Sequence, residues 1–217
     1  MRQLARFDRL ARLYFWMEYL SFGPYLQRCR CLRLPQINHR KRALVYGDGD
    51  GRFLKELARV APSLQITAVD ASEAMLRRAR LRLPANPSVQ WVHADARQWE
   101  PPRNRFDLVV SHFFLDCFDE EEIAGIVSRV NAAAADDAVW VVSEFAIPSG
   151  PFSGRAGRLI VGALYLAFGW MTGLTVRQLP DYAGVLGGAG WQLEDRRQLL
   201  RGLLVSEVWR RTPLGNN

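Results

Sequence analysis

The chain has 217 residues, 49% of them hydrophobic, which is enough for one sizeable core and too short for two. The formal net charge of +7 would suit a nucleic-acid binder, but nearly all basic residues are arginines scattered among acids, with lysine only at Lys41 and Lys55. We therefore expect a single domain, and the distribution of charge disfavours a nucleic acid as its substrate.

The cysteines and the N-terminus bear on the compartment. Cys29, Cys31 and Cys117 form an odd set without the spacing of a zinc site, and the three histidines are not spaced to join them. Arginines interrupt every N-terminal apolar run that could form the core of a signal peptide. We expect a cytoplasmic protein with free thiols and no metal.

Residues 1–42 predict a helical cap that precedes the main domain. Apolar and basic residues alternate at helical spacing over residues 1–28, which is typical of amphipathic helices, with a break near Gly23 and Pro24. The residues expected on the apolar face are Leu4, Phe7, Ala11, Tyr14 and Phe15. The character of the sequence changes at Ala43.

From Ala43 onward, strand and helix patterns alternate. The expected strands are 43–46, 65–69, 89–92, 106–111 and 138–145, and the expected helices are 52–60, 72–83 and 120–135. Alternation of this kind favours a parallel α/β sheet. The expected core spans residues 43–146.

The last third of the chain departs from this alternation. Residues 147–180 include the run 159–176, which carries no charge, and we expect a helical lid there because a membrane span at this point would split the sheet. Residues 181–217 predict a helix and two strands, 191–198 and 203–211, joined by a tight turn at Arg201 and Gly202. A terminal antiparallel hairpin would then end the sheet.

A glycine-rich turn follows the first strand. Gly47, Gly49 and Gly51 lie between that strand and the next helix, where glycines let a ligand lie against backbone amides near a helix N-terminus. The turn also carries Asp48 and Asp50 and no lysine, which disfavours a pyrophosphate and favours an ammonium group. The loop therefore predicts a nucleotide-like ligand with a positive group, and not NAD or ATP.

Acidic residues follow the next two strands. Asp70 comes about twenty residues after Gly51, where a carboxylate can accept hydrogen bonds from both hydroxyls of a ribose. Alternatively, it caps the next helix together with Ser72. Asp95 and Ala96 lie just past the third strand, within reach of an adenine, and the fourth strand leads into the run 106–118. The carboxyl ends of these strands would meet at one crevice, where open α/β sheets bind ligands.

These four signals, in this order over residues 43–146, resemble the class I S-adenosylmethionine-dependent methyltransferases. The resemblance implies a Rossmann-like, seven-stranded, mostly parallel sheet with S-adenosyl-L-methionine as cofactor. It implies as cofactor-binding residues Gly47, Asp48, Gly49, Asp50, Gly51, Asp70, Ala71, Asp95, Ala96 and Ser111. Ser111 and His112 would form the floor beneath the sulfonium. The family often has an acid where this chain has Val45, so Asp48 or Asp50 is expected to replace it.

A narrower likeness concerns the acceptor. Glu144-Phe-Ala-Ile-Pro148, the lid and the run 179–182 are similar to the ubiquinone and menaquinone methyltransferases, which favours an apolar or aromatic acceptor. The lid residues that would form its wall are Tyr165, Phe168, Trp170 and Met171. The alternative is that these side chains pack the lid onto the sheet.

Methyl transfer needs an in-line approach to the sulfonium and, for many acceptors, a base. His112, at the end of the fourth strand, is the candidate base, and Asp116 would orient it or bind the acceptor. The alternative for Asp116 is to cap the helix that begins near Asp119. Glu144, at the end of the fifth strand, is a further candidate.

Other hypotheses stay open. The chain could hold the cofactor without catalysis, or it could methylate RNA. The Asn-Pro-Pro-Tyr sequence seen in amino-directed DNA methyltransferases does not follow the fourth strand, which makes amine groups of nucleic-acid bases less favoured as acceptors. The N-terminal helix could also lie on anionic lipid through Phe7, Phe15 and Trp16, although packing as a cap is preferred. A monomer and a homodimer are both compatible with the sequence.

Overall fold

The structure is a computed structural model that describes residues 23–83, 88–148 and 179–212, together with 157, 159 and 162. The helix expected before residue 23 and most of the lid expected in 147–180 lie outside the described residues. Within the described ranges, no helix has the length and apolar character that a membrane crossing requires.

The described residues contain a seven-stranded sheet with the order β3-β2-β1-β4-β5-β7-β6. Its strands are β1 (Arg42–Tyr46), β2 (Gln65–Asp70), β3 (Val89–His93), β4 (Phe106–His112), β5 (Ala134–Phe145), β6 (Trp191–Leu199) and β7 (Leu204–Arg211). Strands β1 to β5 run parallel, and β7 is antiparallel to both of its neighbours. This is the Rossmann-like sheet with an antiparallel C-terminal hairpin that the sequence predicts.

Helices connect these strands and pack on the sheet. They are α1 (Tyr25–Cys31), α2 (Leu34–Ile37), α3 (Arg52–Val60), α4 (Glu73–Arg82), α5 (Glu120–Ala133) and α6 (Tyr182–Gly188). Ser72 is the N-cap of α4, as its sequence position predicts, and its hydroxyl accepts a hydrogen bond from the backbone N–H of Met75. Helix α5 begins with a capping box in which Asp119 and Glu122 each bond the other's backbone N–H.

The central strands are buried on both faces, as expected for a parallel sheet covered by helices. In β4, Leu108 and Val110 pack into the cluster on the α3 side, whereas Val109 packs into the cluster on the α5 side. Alternate residues of a strand point to opposite faces. His112 therefore shares the α3 face with Leu108 and Val110, and Ser111 shares the α5 face with Val109.

The segment before β1 is attached to the C-terminal strands β6 and β7. Helix α1 packs against both α3 and β7. Arg33, the N-cap residue of α2, is buried, and its guanidinium donates to the Asp195 carboxylate and, at 2.6 Å, to the backbone carbonyl of Ser206. A buried guanidinium needs such partners, so the cap and the C-terminal hairpin are tied together.

Strand β5 starts earlier than its composition suggests. It begins at Ala134, directly after α5, and the early part pairs with Phe106 across an irregularity in the ladder. Residues 136 and 137 are aspartates, which are depleted in strands, so strand propensity predicts a start at residue 138 and not at Ala134.

Gly51 is the N-cap of α3, and its φ of +81° lies in the left-handed region. A β-carbon at this position would lie 2.7 Å from the Cα and Cβ of Ala79 in α4. We expect Gly51→Ala to lower the free energy of unfolding by about 2–4 kcal/mol, because it adds backbone strain to a clash between two helices. Urea unfolding followed by circular dichroism measures the change.

Gly187→Ala is the matched control. Gly187 lies in α6, where a β-carbon would meet nothing within 4 Å, and we expect the stability to stay level or rise by up to about 1 kcal/mol. Equal effects of the two substitutions would contradict the packing described for the β1–α3 turn.

Candidate functional site

The order of the strands reverses between β1 and β4, because the chain passes from β1 outward through β2 to β3 and then returns to the other side of β1. A crevice at the carboxyl ends of the strands is expected at such a switch point. The turns after β1, β2, β3 and β4 all lie at this edge, and they carry the residues that the sequence predicts as a site.

The turn after β1 is built on left-handed glycines. Gly47, Gly49 and Gly51 have φ values of +62°, +64° and +81°. A β-carbon on Gly47 would lie 2.5 Å from the ring of Phe114, whereas one on Gly49 would meet nothing within 4 Å. The turn is thus packed at its ends and presents bare backbone to open space at Gly49.

Asp48 lies under the N-terminus of α3. Its Oδ2 accepts a hydrogen bond of 3.0 Å from the backbone N–H of Leu54, while Oδ1 is buried without a hydrogen-bond partner among the described residues. Burial raises the pKa of Asp48 to about 7, although the N–H of Leu54 and the positive charge of Arg30 act in the opposite direction. One oxygen of this carboxyl can therefore still accept a hydrogen bond from a ligand.

Asp50 faces arginines. Its carboxylate contacts the Arg52 Nε at 2.9 Å and the Arg82 Nη2 at 2.7 Å. Of the two loop acids, Asp48 is therefore the one with a buried oxygen available to an ammonium group.

The turn after β2 places Asp70 beside the helix that Ser72 caps. Asp70 Oδ1 accepts a hydrogen bond of 2.8 Å from the backbone N–H of Ser72. The carbonyl of the intervening Ala71 lies 3.1 Å from Nε2 of His93. Asp70 thus helps to shape the start of α4, and the residue is half-buried at the carboxyl edge of the sheet.

The turn after β3 carries an ion pair. The Asp95 carboxylate is bonded by the Arg97 guanidinium at 2.6–3.1 Å, and Arg97 also reaches Glu122 at 2.7 Å. The hydrogen bonds from Arg97 keep the pKa of Asp95 below its usual value. Ala96, the next residue, is buried in the core cluster on the α5 side.

The two residues that end β4 have different surroundings. Ser111 is fully buried, and its hydroxyl accepts a hydrogen bond of 2.9 Å from Nε1 of Trp140. His112 is 4% exposed, and neither ring nitrogen has a hydrogen-bond partner among the described residues. Burial and the nearby charge of Arg30 hold the pKa of His112 well below its usual value, so its ring is neutral at physiological pH.

The turn after β4 brings Asp116 against Glu144 of β5. Glu144 is fully buried, and its Oε1 accepts the backbone N–H groups of Phe114 and Leu115 at 3.0 and 2.8 Å. Asp116 does not cap α5, since Asp119 does so. The structure thus brings His112, Asp116 and Glu144 to the same end of two neighbouring strands.

Sequence reasoning missed the polar groups contributed by α1. Gln27 bonds the Arg52 carbonyl at 3.2 Å, and its Oε1 is buried without a partner among the described residues. The Arg30 guanidinium lies 5.2 Å from the centre of the Phe113 ring. Neither residue belongs to a motif, and only the helical spacing of the cap could have placed them on its inner face.

Comparison with known proteins identifies methyltransferases. The family described as "Methyltransferase domain" matches residues 43–137. An uncharacterized methyltransferase of Mycobacterium tuberculosis is 37% identical over 106 residues, which cover 49% of this chain and 51% of that protein. Trans-aconitate 2-methyltransferase of Paracidovorax citrulli is 34% identical over 97 residues, which cover 44% of this chain and 35% of that protein. The chain thus spans about half the length, or less, of the curated relatives it matches.

Solved structures of similar fold include small-molecule methyltransferases. The 1,6-didemethyltoxoflavin N1-methyltransferase of Burkholderia thailandensis, with bound 1,6-didemethyltoxoflavin and S-adenosylhomocysteine, superposes with a TM-score of 0.67 at 16% identity, covering 96% of this chain and 88% of that one. The N-methyltransferase NodS of Bradyrhizobium japonicum, in complex with S-adenosylhomocysteine, gives 0.64 at 17% identity, covering 88% and 87%. The fold is therefore that of S-adenosylmethionine-dependent methyltransferases.

We expect the raised pKa of Asp48 to make stability depend on pH. A folded-state pKa above the unfolded value means that the stabilising contribution is complete below about pH 4 and is lost as the pH rises through about 7. Between pH 4 and 8, we expect the free energy of unfolding of the wild type to fall by about 1–3 kcal/mol more than that of Asp48→Asn. Urea unfolding across this range measures the difference.

Asp119→Asn serves as control, because it exchanges one good N-cap residue for another at an exposed position. Parallel pH curves for the wild type and Asp48→Asn would mean that Asp48 does not hold its proton more tightly in the fold.

Proposed function

We propose that this chain, which matches the methyltransferase-domain family over residues 43–137, transfers a methyl group from S-adenosyl-L-methionine to a small apolar or aromatic acceptor. The observation that carries the proposal is a set of buried polar atoms without hydrogen-bond partners among the described residues. They are Asp48 Oδ1, both ring nitrogens of His112 and Glu144 Oε2. Such atoms cost about 1–3 kcal/mol each when left unpaired, and they are typical of a ligand site.

The residues present fit the cofactor. The orphaned oxygen of Asp48 suits the ammonium of a methionine moiety, and the open backbone at Gly49 leaves room for it. Asp70, at the edge of the crevice, suits the ribose hydroxyls, and Asp95 with the backbone of Ala96 suits the adenine. Asp50 contributes mainly by fixing the loop to α3 and α4 through Arg52 and Arg82.

S-adenosylmethionine, when bound, would supply a sulfonium methyl group for transfer to the acceptor, with S-adenosylhomocysteine as the leaving group. The chain must bind the acceptor in line and accept the proton of its hydroxyl or amine. Asp116 is a better candidate than His112 to accept this proton, because Asp116 is half-buried whereas His112 is almost fully buried. His112, held neutral by burial and Arg30, instead offers a hydrogen bond to the acceptor or the cofactor.

An apolar cluster beside the crevice supports an apolar acceptor. It is formed by Leu26, Cys29, Phe113, Phe145 and Leu204, with Leu179, Leu199 and Leu200 packed against it. Phe113 follows β4, Phe145 ends β5 and Leu204 begins the antiparallel β7, so all three lie at the carboxyl edge of the parallel strands. The rings of Phe113 and Phe145 are 5.0 Å apart, and an aromatic or aliphatic acceptor could extend this cluster.

Cofactor binding is tested by calorimetry with purified protein. We expect S-adenosylmethionine and S-adenosylhomocysteine to bind with micromolar affinity, NAD and ATP not to bind, and Asp70→Ala to weaken binding at least about tenfold, since a hydrogen bond to a charged group contributes roughly 1.5–3 kcal/mol. Asp137→Ala is the control, because its side chain is exposed at the start of β5, at the opposite edge of the sheet. Absence of binding by the wild type would contradict the assignment of the turn with Gly47, Gly49 and Gly51 as part of a cofactor site.

Methyl transfer is tested with methyl-labelled S-adenosylmethionine and a panel of phenols, quinols and aromatic amines. We expect label in the organic phase, and Asp116→Asn to lower the rate about 100-fold, because a general base contributes roughly that much. Asp119→Asn, three residues away, should keep the rate. Binding of the cofactor without transfer to any acceptor would favour a protein that holds the cofactor without catalysis.

A further inference from the structure

The fully buried Glu144 and the half-buried Asp116 form a carboxyl pair at the turn that follows β4. Glu144 is fully buried, and its Oε1 is occupied by the backbone N–H groups of Phe114 and Leu115. These two bonds fix the backbone immediately before Asp116. Glu144 therefore determines where the Asp116 side chain is placed.

The second oxygen of Glu144 has no donor. Oε2 is buried and accepts no hydrogen bond from any described N–H or O–H group. The Glu144 carboxyl also interacts with the carboxyl of Asp116. Two ionised carboxylates have only acceptor atoms, so Asp116 can satisfy Glu144 Oε2 only when one of the two carboxyls carries a proton and donates a hydrogen bond to the other.

The other groups around the pair do not supply a positive charge to Glu144. The Cys117 thiol lies 3.6 Å from Asp116 Oδ1, and Tyr182 and the acidic Glu207 are near Glu144. Glu207 has its own partners, Arg196 at 2.5 Å and Nε1 of Trp209 at 2.7 Å. Asp70 adds further negative charge near Cys117. Among the described residues, Glu144 has no cationic partner, so neutralisation by a proton is the physical alternative.

We propose that Asp116 and Glu144 hold one proton between them, carried by Glu144, so that Asp116 stays a carboxylate and accepts the proton of the acceptor's hydroxyl or amine. This inference rests on the proposed function and assigns Glu144 as a positioning residue. The proton moves from the acceptor's oxygen or nitrogen to an oxygen of Asp116, while Glu144 keeps its own proton throughout. The hydrogen bond that protonated Glu144 donates to Asp116 stabilises Asp116 as the carboxylate that this step needs.

The acid–base properties of the two groups agree with this assignment. Burial and repulsion by Asp116 raise the pKa of Glu144 well above its usual value. Burial raises the pKa of Asp116 only to about 6, because hydrogen bonds from Cys117 and Glu144 act in the opposite direction. Glu144 is therefore the group that keeps the proton at neutral pH.

The test is a carboxyl NMR titration between pH 4 and 9 of protein labelled with ¹³C at aspartate and glutamate carboxyls. The Glu144 signal is assigned by its loss in Glu144→Gln and the Asp116 signal by its loss in Asp116→Asn. We expect Asp116→Asn to lower the titration midpoint of Glu144 by at least about one pH unit, because it removes a neighbouring negative charge. Glu144→Gln should leave the midpoint of Asp116 nearly in place, because a glutamine amide donates as the protonated acid does.

Asp119→Asn is the control, since it removes an exposed carboxylate from the same turn and should not move the Glu144 midpoint. A wild-type Glu144 that is ionised at pH 7, or a midpoint unchanged in Asp116→Asn, would overturn the proposal. The titration needs neither cofactor nor acceptor. Its failure is therefore distinguishable from failure of the proposed function, which would appear as absent cofactor binding or absent methyl transfer.

Discussion

Neither Gly47 nor Gly51 has room for a β-carbon, because Gly47 lies under the ring of Phe114 and Gly51 lies against the backbone of α4. The turn between β1 and α3 is thereby fixed to the turn after β4 on one side and to α4 on the other. Close approach of this kind places the N-terminus of α3, and Asp48 beneath it, at the switch point of the sheet. The positions of the candidate binding groups depend on this packing.

The polar groups at the switch point are held by the scaffold while parts of them remain unsatisfied. Asp48 gives one oxygen to α3 and Glu144 gives one oxygen to the turn after β4, and each has a second oxygen that is buried without a partner among the described residues. His112 has neither nitrogen bonded. Buried groups of this kind destabilise a fold unless a ligand or a shared proton satisfies them. Their concentration around one crevice therefore connects the architecture of the sheet to the proposed methyl transfer.

The sequence predicts the features that depend on local chemistry. The bounds of α3, the Ser72 cap, the strand that ends at Asp70 and the terminal hairpin all follow from hydrophobic period, capping residues and glycine positions. The start of β5 at Ala134 does not, because its aspartates are typical of a loop. The order of the motifs is also enough to indicate the fold family.

The sequence does not predict which charged side chains pair with each other in the fold. Asp50 is held by Arg82, 32 residues away, and Arg33 is held by Asp195, 162 residues away, and no periodicity links such pairs. The double role of Glu144 likewise depends on two backbone groups about 30 residues earlier. Tertiary contacts of this kind decide whether an acid binds a ligand, caps a helix or neutralises an arginine.

The most direct test of the account is a crystal structure of the protein with S-adenosylhomocysteine. We expect the methionine moiety to lie against Gly49, with its ammonium on Asp48 Oδ1, and the ribose hydroxyls to bond Asp70. The thioether sulfur should face the end of β4, near His112 and Asp116. A ligand bound elsewhere, or one whose ammonium and ribose contact neither Asp48 nor Asp70, would contradict the assignment of the crevice as the methyl-transfer site.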